Sequence, residues 1–226
     1  MYVCEMKDNL CYKVANYMKQ FSKNNKGIKI HINKSIPSGG GLGGGSSNAA
    51  SVMLFLNKYW NINFGEKKLM KIGFLFGADI PYFIKGEQAV VCGFGEKVKR
   101  FKKNIVGDII LVVPPFSLET KKVFQNIDMK NVKSRTNKNI RIFENIFNDL
   151  EGAADIVSCG EVKKIKDILS SVGKGKALMS GSGSTIIYYV ASDENPQKTY
   201  NIIKKRLENC EVILTKIKKD RPCEKC

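Results

Sequence analysis

The densest chemical signal in this chain is a run of glycines. Six of the seven residues from Gly39 to Gly45 are glycine, and Leu42 is the exception. Glycine lets the backbone approach a bulky anion and adopt a positive φ without a Cβ clash. The start of a helix adds unpaired N–H donors and the positive end of the helix dipole. A glycine loop that leads into a helix therefore predicts a site for the phosphate chain of a nucleotide.

The flanking segments supply the elements that such a site needs. Apolar and polar residues alternate over 28–32, which predicts a half-buried strand before the loop. Apolar residues at i, i+3 and i+4 spacing over 49–60 predict an amphipathic helix after it. Ser46 or Ser47 is the predicted N-cap of that helix.

Two better-known phosphate loops fit less well. No Gly-Lys-Ser/Thr follows the glycines, so the loop is not a Walker A motif. Gly39, Gly41 and Gly44 satisfy G-x-G-x-x-G, but a dinucleotide-binding unit also needs a second parallel strand that ends in an acidic residue. A second helical pattern follows here instead. A flexible glycine linker is also disfavoured, because amphipathic elements lie on both sides.

Proline followed by GGGLGGGSSNAA resembles the second signature of the GHMP small-molecule kinases. This resemblance implies ATP and Mg²⁺ as cofactors, with the hydroxyl of Ser46 or Ser47 near the metal. The implied ATP-binding residues are Pro37, Ser38, Gly39, Gly40, Gly41, Leu42, Gly43, Gly44, Gly45, Ser46 and Ser47.

More narrowly, the chain resembles the family members that phosphorylate diphosphocytidyl-methylerythritol, a small alcohol linked to cytidine diphosphate. GFLFGADIPYF, residues 73–83, is similar to the segment with the family's catalytic aspartate, which implies that role for Asp79. Its residue type and position alone favour a turn or capping aspartate instead. Further segments match in the same order at 8–19, 93–98 (GFGEKV), 148–151 (NDLE) and 177–190.

The second half of the chain contributes weaker candidates. The loop around Gly181, Ser182 and Gly183 reads as a hairpin turn from its residues alone, whereas the resemblance implies that it closes over the active site from the second lobe. Thr120 falls where the family has a threonine near the substrate at a helix start. We expect a weaker substrate contact there.

One departure concerns the start of the chain. The family's short A-K-x-N motif, whose lysine works with the aspartate, and its cytidine-binding Gly-Tyr-His segment are both missing. We therefore expect an N-terminal lobe that is incomplete at its start, and little or no kinase activity from this shortened chain. Two alternatives stay open: a truncated, non-catalytic remnant that binds nucleotide, and another GHMP kinase such as a homoserine kinase.

Composition limits the remaining classes. The formal net charge is +17, but the lysines are scattered over polar helix faces, which disfavours nucleic acid as the partner. No apolar run is long enough for a membrane helix. Seven cysteines, an odd number, predict reduced thiols in a cytoplasmic protein. We expect a monomer or weak homodimer that acts on a small molecule.

Strand and helix patterns interleave with antiparallel returns, which predicts an α+β protein. We expect two lobes, residues 1–108 and 109–226. The resemblance implies a truncated first lobe like ribosomal protein S5 domain 2 and a ferredoxin-like second lobe. The patterns predict a hairpin over 88–101, strands over 109–115, 185–190 and 212–217, and helices near 141–150, 161–172 and 195–209. A polar loop is expected around 131–139.

Overall fold

The computed structural model describes residues 6–24, 26–37, 39–101, 105–128 and 147–218. The chain divides into two compact units. Within the described residues, the first unit contains 6–36 and 43–101, and the second contains 37–42 and 105–218. The glycine loop is therefore divided: its first half belongs to the second unit and its second half to the first.

Helices dominate the described part of the first unit. After a short 3-10 turn, its elements are α1 (Leu10–Lys19), α2 (Gly44–Tyr59), α3 (Glu66–Phe74), α4 (Ile80–Lys85), β1 (Ala89–Cys92) and β2 (Lys97–Arg100). Strands β1 and β2 pair antiparallel, which confirms the predicted hairpin.

Apolar faces of α1 and α2 form the core of the first unit. Asn9 begins α1, because its side-chain oxygen accepts a hydrogen bond from the Cys11 N–H at 2.9 Å. Val14 on α1 and Met53 on α2 are completely buried. The apolar face predicted over 49–60 is thus largely confirmed, although Tyr59 at its end is 37% exposed.

Residues 28–32 form no strand, and that prediction is wrong. The alternation reflects burial only in part: Ile30 and Ile32 are partly buried and Lys29 and His31 are exposed, but Ile28 is exposed as well. A strand also needs a neighbour to complete its ladder of hydrogen bonds. In the described part of the chain, none of the strand pairings involves this segment.

The second unit contains an antiparallel sheet with the strand order β4-β5-β3-β6. Its elements are β3 (Gly107–Val113), α5 (Thr120–Gln125), α6 (Glu151–Val157), α7 (Glu161–Ser170), β4 (Lys176–Met179), β5 (Ile186–Tyr189), α8 (Pro196–Arg206) and β6 (Glu211–Ile217). This order confirms the ferredoxin-like expectation and the α+β class. Ile110, Tyr188 and Ile203 are completely buried between sheet and helices.

Strands β3, β5 and β6 and helices α7 and α8 lie where the patterns predict them. Helix α6 and strand β4 were not predicted. Each is too short to show a clear apolar period in the sequence. The loop expected around 131–139 lies outside the described residues, as does most of the helix expected over 141–150. Residues 147–150, which are described, form no helix.

Within the described residues, no helix combines the length and apolar character needed to cross a membrane. Cysteines 11, 92, 159 and 210 are described, and all are free thiols.

Candidate active site

The first N–H groups of α2 have no carbonyl partners within the helix. Gly43 precedes the helix in the left-handed region, with φ of +66°. The Ser47 N–H donates to the Gly43 carbonyl at 2.9 Å, which is the first helical hydrogen bond. The N–H groups of Gly44, Gly45 and Ser46 precede it and have no carbonyl partner within the helix. They form a set of donors of the kind that binds phosphate.

Neither Ser46 nor Ser47 is the N-cap, and that prediction is corrected. The cap is Gly43, whose side chain can make no capping hydrogen bond. Because a glycine tolerates the left-handed conformation, the helix starts earlier than the serines suggested. Both hydroxyl groups consequently lie inside the first turn and are partly buried.

The ammonium group of Lys34 lies beside the start of α2. Its Nζ is 3.5 Å from the position that a Cβ on Gly44 would occupy. The same charge reaches α1: burial raises the pKa of the Cys11 thiol, and Lys34 partly offsets that rise. A cation next to the positive end of a helix dipole is unfavourable unless an anion binds there. Lys34 and the α2 N-terminus together are therefore the candidate site for a strongly charged anion.

Asp79 lies in the turn between α3 and α4. It precedes α4, but its side chain is exposed and makes no capping hydrogen bond. The turn packs beside the first turn of α2, because a Cβ on Gly77 would lie 3.9 Å from Ser46 Oγ. Phe83 of α4 packs against Gly43, where a Cβ would lie 2.8 Å from the ring Cζ. The fold of the first unit thus brings the Asp79 turn next to the anion site.

The first half of the glycine loop is hydrogen-bonded to other residues of the second unit. Ser180 Oγ donates to the Gly41 carbonyl at 2.9 Å, and the Thr185 N–H donates to the Gly40 carbonyl at 3.2 Å. Gly41 has φ of +73°, and a Cβ there would lie 2.1 Å from the Ser180 carbonyl oxygen. Neither Ser180 nor Thr185 was a predicted site residue. The sequence SGSGS at residues 180–184 indicated a loop near the site, but it did not show which of its groups contact the glycine loop.

The remaining candidates of the second unit lie on the 181–183 loop and at the start of α5, which touches that loop. Thr120 is the first residue of α5, which confirms a threonine at a helix start. Its Oγ1 lies 2.9 Å from Ser182 Oγ. Gly181 and Gly183 both have positive φ, at +53° and +84°. The structure thus brings Thr120 and the 181–183 loop together, and their contact with substrate stays a prediction.

A cavity of about 430 Å³ lies in the second unit and includes Pro37, Gly40 and Ser117 in its lining. Ser38 lies outside the described residues. Within the described part of the chain, no group of three or more His, Cys, Asp or Glu side chains could hold a metal ion. Mg²⁺ prefers oxygen ligands and commonly binds through substrate phosphates. The Ser46 and Ser47 hydroxyls fit that mode of binding.

The sequence of this chain is similar to those of known proteins. The family model for the GHMP kinases N terminal domain matches residues 9–87, and the model for the GHMP kinases C terminal matches residues 128–209. A 4-diphosphocytidyl-2-C-methyl-D-erythritol kinase of Clostridium botulinum (strain Eklund 17B / Type B) is 35% identical over 215 residues, covering 91% of this chain and 77% of the relative. The kinase of that name from Clostridioides difficile (strain 630) is 38% identical over 194 residues, covering 79% and 64%.

Solved structures agree on the fold. The crystal structure of a 4-(cytidine 5'-diphospho)-2C-methyl-D-erythritol kinase matches with a TM-score of 0.78 at 24% identity, over 95% of this chain and 80% of that one. A homoserine kinase from Cytophaga hutchinsonii matches with a TM-score of 0.68 at 16% identity, over 96% and 78%. At such identities the likeness concerns the fold alone, whereas the sequence matches concern the family. This chain belongs to the GHMP kinase family.

Proposed function

We propose that this chain transfers the γ-phosphate of ATP to the 2-hydroxyl of the methylerythritol group of 4-diphosphocytidyl-2-C-methyl-D-erythritol. The observation that carries the proposal is the anion site at the α2 N-terminus, where Lys34 adds a cation to the free helical N–H groups. The names of the sequence relatives supply the substrate.

The phosphate chain of ATP has a binding surface in this arrangement. The N–H groups of Gly44, Gly45 and Ser46 donate to phosphate oxygens, and Lys34 neutralises part of their charge. The hydroxyl of Ser46 or Ser47 would hold Mg²⁺ together with phosphate oxygens. When bound, the metal neutralises charge that develops on the phosphoryl group during transfer.

Asp79 acts as the general base in this proposal. Its carboxylate orients the substrate hydroxyl and accepts its proton as the phosphoryl group is transferred. Support comes from its exposed side chain, which makes no capping hydrogen bond, and from the turn that places it beside the first turn of α2. The resemblance of the GADIPYF segment to the family's catalytic segment points the same way.

The alternatives are less well supported. The homoserine kinase likeness extends to the fold alone. A remnant that only binds nucleotide would keep the anion site but show no transfer. Neither nucleic acid nor a membrane enters the proposal, and we expect a cytoplasmic protein that is a monomer or a weak homodimer.

A single-turnover assay tests the function. The chain, in excess over [γ-³²P]ATP, is incubated with Mg²⁺ and 4-diphosphocytidyl-2-C-methyl-D-erythritol, and the labelled phosphomonoester is separated and counted. This format detects even a single phosphoryl transfer per chain. Label in the product supports the proposal. Calorimetric binding of a non-hydrolysable ATP analogue without any transfer would refute it in favour of the remnant.

A further inference from the structure

The NDLE segment, residues 148–151, lies against the loop that holds the glycines. Asn148 Nδ2 donates to the Met179 carbonyl at 2.9 Å and to the Gly181 carbonyl at 2.7 Å. Asn148 Oδ1 accepts from the Leu150 N–H at 2.9 Å. Both amide hydrogens and the amide oxygen are thus engaged. The two carbonyls that Asn148 holds flank Ser180 on either side.

Glu151 binds the same end of β4, at the Met179 N–H. Its Oε1 accepts from the Met179 N–H at 2.8 Å, and its Oε2 pairs with Lys166 of α7. The Glu151 and Lys166 side chains are only 20% and 26% exposed. A partly buried, charge-assisted pair fixes the carboxylate more firmly than a solvated pair would. Met179 is therefore held at both its N–H and its carbonyl.

These contacts continue to the glycine loop. Ser180, between the two held carbonyls, donates its hydroxyl hydrogen to Gly41, and Thr185 donates its N–H to Gly40. The approach is close, since a Cβ on Gly40 would lie 2.8 Å from Thr185 Oγ1. That hydroxyl is buried and has no hydrogen-bond partner, so its position is set by packing under Gly40.

We propose that Asn148 and Glu151 are positioning residues for nucleotide binding. They fix the 180–185 loop, and this loop in turn fixes the backbone of Gly40 and Gly41 in the conformation that receives ATP. The part of this inference that concerns nucleotide binding rests on the proposed function. Neither residue touches the nucleotide, so each acts only through the loop.

Asn148→Asp tests the inference with almost no change of shape. The carboxylate keeps the acceptor for the Leu150 N–H but turns an oxygen toward the carbonyls of Met179 and Gly181. Two donated hydrogen bonds become repulsive contacts. Asn126→Asp is the matched control, because the Asn126 amide donates to the Lys122 carbonyl at 2.9 Å at an exposed position.

Amide hydrogen exchange of the full chain without nucleotide gives the first readout. We expect exchange in peptides covering 180–185 and 39–42 to become at least tenfold faster in Asn148→Asp, while peptides of α8 and β6 keep wild-type rates. Calorimetry with a non-hydrolysable ATP analogue gives the second readout, and we expect at least tenfold weaker affinity. Asn126→Asp should match wild type in both.

Each half can fail separately. Wild-type exchange over 180–185 in Asn148→Asp would overturn the positioning role. Faster exchange with affinity within twofold of wild type would overturn the link to nucleotide binding. A wild-type chain that binds no nucleotide would refute the proposed function and this link together, and that outcome is distinguished because it appears without any substitution.

Two milder variants keep the test valid if Asn148→Asp does not fold. Ser180→Ala removes only the hydrogen bond to Gly41, so faster exchange should be confined to the glycine loop while affinity still falls. Glu151→Gln keeps an acceptor for the Met179 N–H and loses only the ion pair with Lys166. It should therefore lie between Ser180→Ala and wild type, and affinity unchanged in both variants would overturn the proposal.

Discussion

Replacing Asp79 with asparagine separates a catalytic carboxylate from a structural one. The side chain is exposed and makes no capping hydrogen bond to α4. Replacement of the Asp79 carboxylate by an amide should therefore change the free energy of unfolding by no more than about 0.5 kcal/mol, as is usual for surface positions. General-base catalysis contributes about 10²–10⁴ in rate. We expect single-turnover transfer to fall by at least about 100-fold, which corresponds to about 2.7 kcal/mol of transition-state stabilisation.

The assay is the ³²P transfer described above, together with thermal unfolding and calorimetric titration of an ATP analogue. The melting temperature and the nucleotide affinity of Asp79→Asn should match wild type, because Asp79 is assigned to the substrate hydroxyl. Asp167→Asn, at an exposed position on α7, is the control for removal of a surface carboxylate. An Asp79→Asn variant that retains transfer within about threefold of wild type would refute the general-base assignment.

Three further outcomes are expected. Gly43→Val should destabilise the fold by at least about 1–2 kcal/mol and weaken ATP-analogue affinity at least tenfold by calorimetry, because φ is +66° and a Cβ would lie 2.8 Å from Phe83 Cζ. Lys34→Met should weaken that affinity about tenfold, and most at low salt, since one cation is lost. Burial raises the pKa of Tyr188 from 10.0 to about 12. The stabilisation is complete below pH 10 and lost as the pH rises toward 12, so in urea titrations Tyr188→Phe should lack this decline in the free energy of unfolding.

Each variant has a control in the same chain. Gly27→Val introduces the same side chain where a Cβ meets nothing within 4 Å, and it should bind nucleotide as wild type does. Lys29→Met removes an exposed lysine from the same segment as Lys34. Tyr12→Phe changes a tyrosine that is 40% exposed. Equal behaviour of any variant and its control would contradict the corresponding explanation.

Much of the fold could be predicted from local sequence patterns. The apolar period of α2 and α7 reflects which side of each helix is buried, and the continuous apolar runs of β3 and β5 reflect strands with few exposed residues. The phosphate site predicted for the glycine loop likewise follows from local sequence. It depends on consecutive residues without a Cβ and on the helix that follows them directly in sequence.

Other features depended on partners elsewhere in the chain. Residues 28–32 have the alternation of a strand but no neighbour to pair with among the described residues. The start of α2 depends on Gly43 taking a left-handed conformation, which Phe83 accommodates only because no Cβ is present. The sequence shows Lys34 shortly before the glycine loop, but only the fold shows that its ammonium group lies beside Gly44.

The sequence by itself determined the family, the α+β class and the segments that carry the chemistry, because these depend on residue types at short spacing. Tertiary structure alone decided how those segments are held. Ser180 and Gly41 are separated by 139 positions, and Asn148 and Gly181 by 33. A hydrogen bond across such distances leaves no periodic trace in either segment, since each residue needs only a donor or an acceptor. Only the folded backbone fixes which of many equivalent polar groups meet.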